Sequence, residues 1–146
     1  MRSRLAAFVL ASLALTACQA TVTSAELKVG DCFNQTNSVD ANGDSVASHA
    51  IVDCSQPHES EVFSVFDFPN ATSAFPGYEQ IGLVQQGQCQ SDFEDYVGIP
   101  WDLSSYTISY ASPDESTWAA GDRAIHCVLA DASAGKLTGS AKDAQH

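Results

Sequence analysis

The residues able to do chemistry crowd into one stretch, Val52-Asp53-Cys54-Ser55-Gln56-Pro57-His58-Glu59-Ser60-Glu61-Val62-Phe63. His58 carries an imidazole, which exchanges protons near neutral pH and is a common metal ligand. With Glu61, and Asp53 or His126 nearby, it could hold Zn²⁺ and leave a position open for water. That combination describes a metal-dependent hydrolase. The competing reading is structural: His58 bonds backbone carbonyls at the corner, and Glu61 pairs with Arg123, the one arginine after residue 4. The chain has no H-E-x-x-H and no G-x-S-x-G, so neither a zinc-protease helix nor a nucleophile elbow supports catalysis. The corner Asp53, His58 and Glu61, with Trp118 and Arg123, is therefore a candidate structural or binding site. No catalytic residue, metal or cofactor is expected.

The N-terminus sets the compartment. Arg2 and Arg4 precede an apolar run over residues 5–15 and then small residues up to Cys18. A basic segment, a short apolar segment and a processing site make a secretory signal. The run spans ~16 Å as a helix, about half a bilayer core. Leu15-Thr16-Ala17-Cys18 resembles the bacterial lipobox, in which the cysteine thiol is acylated and becomes the new N-terminus. Residues 1–17 are thus expected as a lipoprotein signal peptide and Cys18 as a lipid anchor in the cell membrane, on its extracytoplasmic face. Two or more acyl chains anchor stably, whereas one is marginal. Cleavage leaves Lys28, Arg123, Lys136 and Lys142 against all 18 carboxylates, a net charge of −14. Such a surface repels nucleic acid.

Assigning Cys18 to lipid leaves Cys32, Cys54, Cys89 and Cys127, an even set suited to an oxidising compartment. Four cysteines allow three connectivities. With no C-x-x-C pair, zinc is the weaker use of them. Packing favours Cys32–Cys54 and Cys89–Cys127, because a helix face bearing Cys89 must lie on an apolar sheet face.

The elements follow from periodicity. Residues 18–26 are small and polar and read as a flexible tether. The domain spans 27–140 and residues 141–146 form a disordered tail. Residues 34–44 read as loop; Asp40 to Asp44 resembles the start of a calcium site, but Ser45 and Ile51 stand where an EF-hand needs glycine and glutamate. Strands are expected over 50–53 and 59–68, the second with Val62, Phe66 and Phe68 on one face and Phe63 and Val65 on the other. A helix over 78–97 brings Ile81, Val84, Cys89, Phe93 and Tyr96-Val97 near one face, weakened at Gly82 and Gly87. Further strands are expected over 103–110 and 123–130, the latter aligning Ile125, Cys127 and Leu129, with Trp118 plugging the core between them. The fold class is α+β: a small antiparallel β-sheet with one main helix packed on one face and two disulfides.

Gly30-Asp31-Cys32-Phe33, Val52-Asp53-Cys54-Ser55-x-Pro57-His58-x-x-Glu61-Val62-Phe63, Trp118-x-x-Gly121-Asp122-Arg123-x-x-x-Cys127 and Leu137-Thr138-Gly139-Ser140 resemble the actinobacterial septum formation-related domain. The resemblance implies an exported or membrane-tethered envelope protein associated with cell division. It implies no chemistry. The expected function is a non-catalytic binding module whose partner is an envelope or division protein or a wall component. A metal-dependent hydrolase of a cell-envelope substrate is the alternative.

Overall fold

The computed structural model of the protein describes residues 20–39, 41–43 and 45–146. The expected signal peptide and Cys18 lie outside the described residues. Six strands form one antiparallel sheet: β1 (Thr21–Val22), β2 (Cys32–Val39), β3 (Ser45–Val52), β4 (Ser60–Asp67), β5 (Tyr106–Ala111) and β6 (Ala124–Asp131), in the order β1-β3-β2-β4-β6-β5. The main helix, α1 (Tyr78–Val97), packs on one face; the second, α2 (Glu115–Ala119), is a single turn. Both disulfides form as expected, Cys32–Cys54 and Cys89–Cys127.

The sequence explains why α1 sits where it does. Ile81, Cys89, Phe93 and Val97 are its buried residues. The last three meet Phe63, Ile125, Cys127 and Leu129 in the larger core cluster. The Cys89–Cys127 bridge ties the helix to the middle of β6. Closing a loop of 38 residues, it stabilises by about 4 kcal/mol in the chain-entropy model. That exceeds the ~1 kcal/mol each that Gly82 and Gly87 cost, and the helix runs unbroken through both. It ends at Gly98, whose φ of 91° is left-handed and whose N–H bonds Glu94 O at 2.9 Å. Glycine takes that conformation without a Cβ penalty.

Four expectations need correction. The segment expected as loop over 34–44 is largely strand: β2 and β3 pair from Cys32↔Val52 out to Val39↔Ser45. Its outer half is exposed, so it lacks the apolar alternation that marks a strand in sequence. The faces of β4 are also re-sorted. The register with β6 shifts between Val62 and Ser64, and this bulge inverts the side-chain alternation beyond it. Phe63, Phe66 and Phe68 consequently join the α1 side, while Val62 and Val65 join Leu27, Phe33 and Val128 on the other.

The tether is shorter than expected. Thr21 and Val22 pair with Ala50 and His49, as β-branched residues do at an open strand edge. A turn over Ser24–Glu26 follows, with Thr23 N–H and Oγ1 each donating to Glu26 Oε2 at 2.8 Å. Finally, residues 141–146 do not trail off. Asp143 N–H bonds Tyr96 O at 2.9 Å and Gln145 N–H bonds Val97 O at 3.0 Å. The last carbonyls of a helix have no partner within it, and here the chain terminus supplies the donors.

The face away from α1 buries two imidazoles. His49 meets the Phe33 ring edge-on at 4.7 Å and has Nε2 2.9 Å from Ser24 Oγ. His126, on β6, is also buried. Burial pushes both below the ordinary value of 6.5, His49 further through the nearby His126. The unfolded chain therefore binds protons at a higher pH than the fold does, so stability is full above about 6.5 and falls as pH drops toward the folded values. Urea midpoints measured from about pH 7.5 down to about 5.5, above the range where carboxylates titrate, are expected to decline steadily. A flat profile over that interval contradicts the burial of these rings.

Candidate functional site

The corner forms where β3 leaves the sheet and β4 returns. Asp53 caps the turn: its Oδ1 accepts from Ser55 N–H at 2.8 Å, and Gln56 N–H bonds Asp53 O at 2.8 Å. Those Ser55 hydrogen bonds hold the Asp53 carboxyl below its ordinary value, and its side chain stays exposed. Pro57 then directs the chain into an isolated bridge, His58↔Leu137, closed by two backbone hydrogen bonds of 3.0 and 2.8 Å. This bridge buries His58 completely. Its Nδ1 lies 2.8 Å from Gln56 O, so Nδ1 is the donor to that carbonyl. Nε2 is buried and has no hydrogen-bonding partner among the described residues.

Glu61 is equally buried, at 0% exposure, and faces α1. It sits opposite Cys32 on β2 and Leu129 on β6. Its Oε1 accepts from Tyr96 Oη at 2.6 Å and Ser140 Oγ at 2.5 Å, and its Oε2 from Ala141 N–H at 2.7 Å. A carboxylate fully removed from water needs such donors, because desolvation otherwise disfavours its charge. Burial first, and then the hydrogen bond to the Glu61 carboxylate, raise the Tyr96 hydroxyl above its ordinary value of 10.0. Tyr96 is thus held as the donor. Beside this cluster, Glu59 accepts from Gln35 N–H at 2.7 Å and pairs with Lys136 at 3.0 Å, and Gly139 N–H bonds Cys54 O at 2.7 Å.

The structure therefore brings His58 and Glu61 together but not the rest of the expected set. Cys32 Sγ, a His58 ring nitrogen and a Glu61 oxygen all lie within 4.8 Å of one another. His126 pairs with Val65, on the opposite face, and cannot join them. Nor does Glu61 pair with Arg123. Glu61 lies opposite Leu129 whereas Arg123 precedes the Asp67↔Ala124 pair, roughly 20 Å along the strands. There the Arg123 guanidinium stacks 3.8 Å from the Trp118 ring and donates to the carbonyls of Trp118, Asp122 and Thr72. Trp118, 1% exposed, packs edge-on against Phe68 and Phe75. It is a core plug, and Arg123 fastens the loops around it.

The sequence marks Tyr96 as part of the helix face and Ser140 as part of a motif, but neither they nor Ala141 as site residues, although all three donate to Glu61. Tyr96 sits next to Val97 on the apolar face of α1 and reads there as packing. Ser140 ends the last of the recognised motifs, which was the one available signal.

These motifs fall within residues 29–146, the span matched by the family described as septum formation. The chain belongs to that family. No curated protein and no solved structure is similar to it. The family's span takes in both disulfides, the His58–Leu137 bridge and every donor to Glu61, so the corner belongs to the family domain and not to an appendage.

Replacing Glu61 by Gln preserves shape but turns an amide N–H₂ toward a donor and removes the charge. Charge-assisted hydrogen bonds contribute about 1.5–3 kcal/mol each, so Glu61→Gln is expected to lower unfolding free energy by at least ~2 kcal/mol in urea titrations. A change below ~0.5 kcal/mol contradicts the assignment.

Proposed function

We propose that this septum formation protein is a lipid-anchored, extracytoplasmic, non-catalytic module that binds an envelope or division protein or a wall component at the division site. The family membership supports a role in division, and that role needs no chemistry from this chain. The observation that carries the non-catalytic reading is the state of the corner: the carboxylate and imidazole are both shut off from solvent. The Glu61 oxygens are occupied by three internal donors. A hydrolase acting there needs a substrate and a water to reach groups that the fold has closed over.

The anchor is the acylated Cys18, and its position behind the apolar leader supports processing there. The order of residues 20–31 bears on how the domain stands off the membrane. β1 ties the chain down from Thr21, so only a few residues separate the anchor from the sheet. The acidic surface favours a basic partner patch. β5, as an edge strand, offers backbone groups for strand addition.

The test is localisation in living cells. Because His146 bonds Tyr106 Oη at 2.9 Å, a fluorophore belongs in the exposed Ala41–Gly43 turn and not at the C-terminus. A septal band that depends on Cys18 and survives His58→Ala is expected. Uniform membrane signal, or a septal band that persists in Cys18→Ser, contradicts the reading.

A further inference from the structure

The Cys32–Cys54 disulfide lies against an incomplete set of metal-binding atoms. Cys32 Sγ, a His58 nitrogen and a Glu61 oxygen lie mutually within 4.8 Å, all three residues buried. The Nδ1 of His58 is engaged by Gln56 O, and its buried Nε2 has no partner among the described residues. A carbonyl holding one imidazole nitrogen is the usual arrangement behind a ligating histidine. Glu61 is likewise oriented by Tyr96, Ser140 and Ala141, two of them on Oε1 and one on Oε2, which leaves one acceptor site on Oε2 for a cation. With the sulfurs bonded to one another the set lacks thiolates. Once they part, Cys32 becomes a thiolate inside the set, with Cys54, its former disulfide partner, adjacent.

We propose that reduction of Cys32–Cys54 by an exported dithiol opens a site for a borderline-soft divalent cation, of which Zn²⁺ is the type, with Cys32, Cys54, His58 and Glu61 as ligands. Two thiolates, one imidazole and one carboxylate make a four-coordinate set of the kind that suits zinc. Cys54 is reachable: it is half-buried in a turn where Asp53, Ser55, Gln56 and Pro57 are exposed. Cys89 and Cys127 are 0% exposed, so a reductant meets Cys54 first.

The dithiol's thiolate attacks Cys54 Sγ, forming a mixed disulfide, and Cys32 leaves as thiolate beside His58. The reductant's second thiol, deprotonated, attacks its own sulfur in the mixed disulfide and expels Cys54 as thiolate. Two electrons pass to the chain, the reductant departs as a disulfide, and both protons it gives up go to solvent or to the thiolates. The cation displaces any proton held by the thiols. It then clips the loop that the disulfide had closed, a span of 22 residues. The corner thereby exchanges a covalent staple for a metal one, and its neighbours on Glu61 stay in place.

The experiment uses the full chain carrying Cys18→Ser and Co²⁺ as probe. After mild phosphine reduction, alkylation mapping is expected to find thiols at Cys32 and Cys54 with Cys89–Cys127 intact. One equivalent of Co²⁺ then gives thiolate-to-cobalt charge-transfer absorption, which Zn²⁺ abolishes; oxidised protein gives none. His58→Ala weakens Co²⁺ binding at least ~10-fold. Cys54→Ser frees Cys32 without reductant and decides the matter should reduction unfold the chain: it is expected to show about half the charge-transfer intensity, one thiolate instead of two. Absence of that absorption in both reduced protein and Cys54→Ser, binding unchanged by His58→Ala, or prior reduction of Cys89–Cys127 overturns the proposal.

Discussion

A carboxylate with no route to water must find its donors inside the fold, and much of this structure is arranged around how Glu61 does so. It lies on β4 just before the bulge that re-sorts that strand, on the same face as α1. One donor, Tyr96, comes from the helix; the others, Ser140 and Ala141, come from the chain terminus. The arrangement works in both directions. Glu61 needs these groups to satisfy its buried oxygens, and residues 137–146 need Glu61, the His58 bridge and the open carbonyls of Tyr96 and Val97 to be held in place. A terminus with few apolar side chains is fixed by polar bonds that the interior cannot leave unmade.

That logic separates what the sequence made legible from what it did not. The helix over 78–97 is readable from a few apolar residues at helical spacing between Gly77 and Gly98, and the Cys127 face of β6 from its alternation; their packing picks out the Cys89–Cys127 pairing. β2 was not readable, because its outer half is wet on both faces and nothing alternates. The β4 faces were misassigned because a one-residue bulge leaves no mark in the pattern of apolar residues. The terminus was misjudged for a different reason. Residues 141–146 are polar and small, which ordinarily signals disorder, and their order comes from Glu61, Tyr96, Val97 and Tyr106, forty or more residues away.

The candidate site divides the same way. His58 and Glu61 were visible as unusual polar residues at a stapled corner, and they do meet. What spacing could not convey is that they meet in the dark, with Tyr96 and Ser140 closing over them. The expected pairing with Arg123 fails because register, not charge, decides distance: the two residues sit at opposite ends of β4 and β6. Arg123 instead finds Trp118, where cation–π stacking and three carbonyls satisfy it. Each end of the sheet thus has its own polar fastening, one acidic and one basic. In this member of the septum formation family, the buried carboxylate and imidazole serve the closure of the domain.

The central claim is that the terminus is an integral, Glu61-held part of the domain. Native-state hydrogen exchange tests it most directly, through the amides of Leu137, Ala141, Asp143 and Gln145. The account predicts protection of Leu137 and Ala141 close to that of core amides in β4 and β6, and its loss in Glu61→Gln while β6 stays protected. Exchange of those amides at the rate of an unstructured chain in the unaltered protein would contradict it.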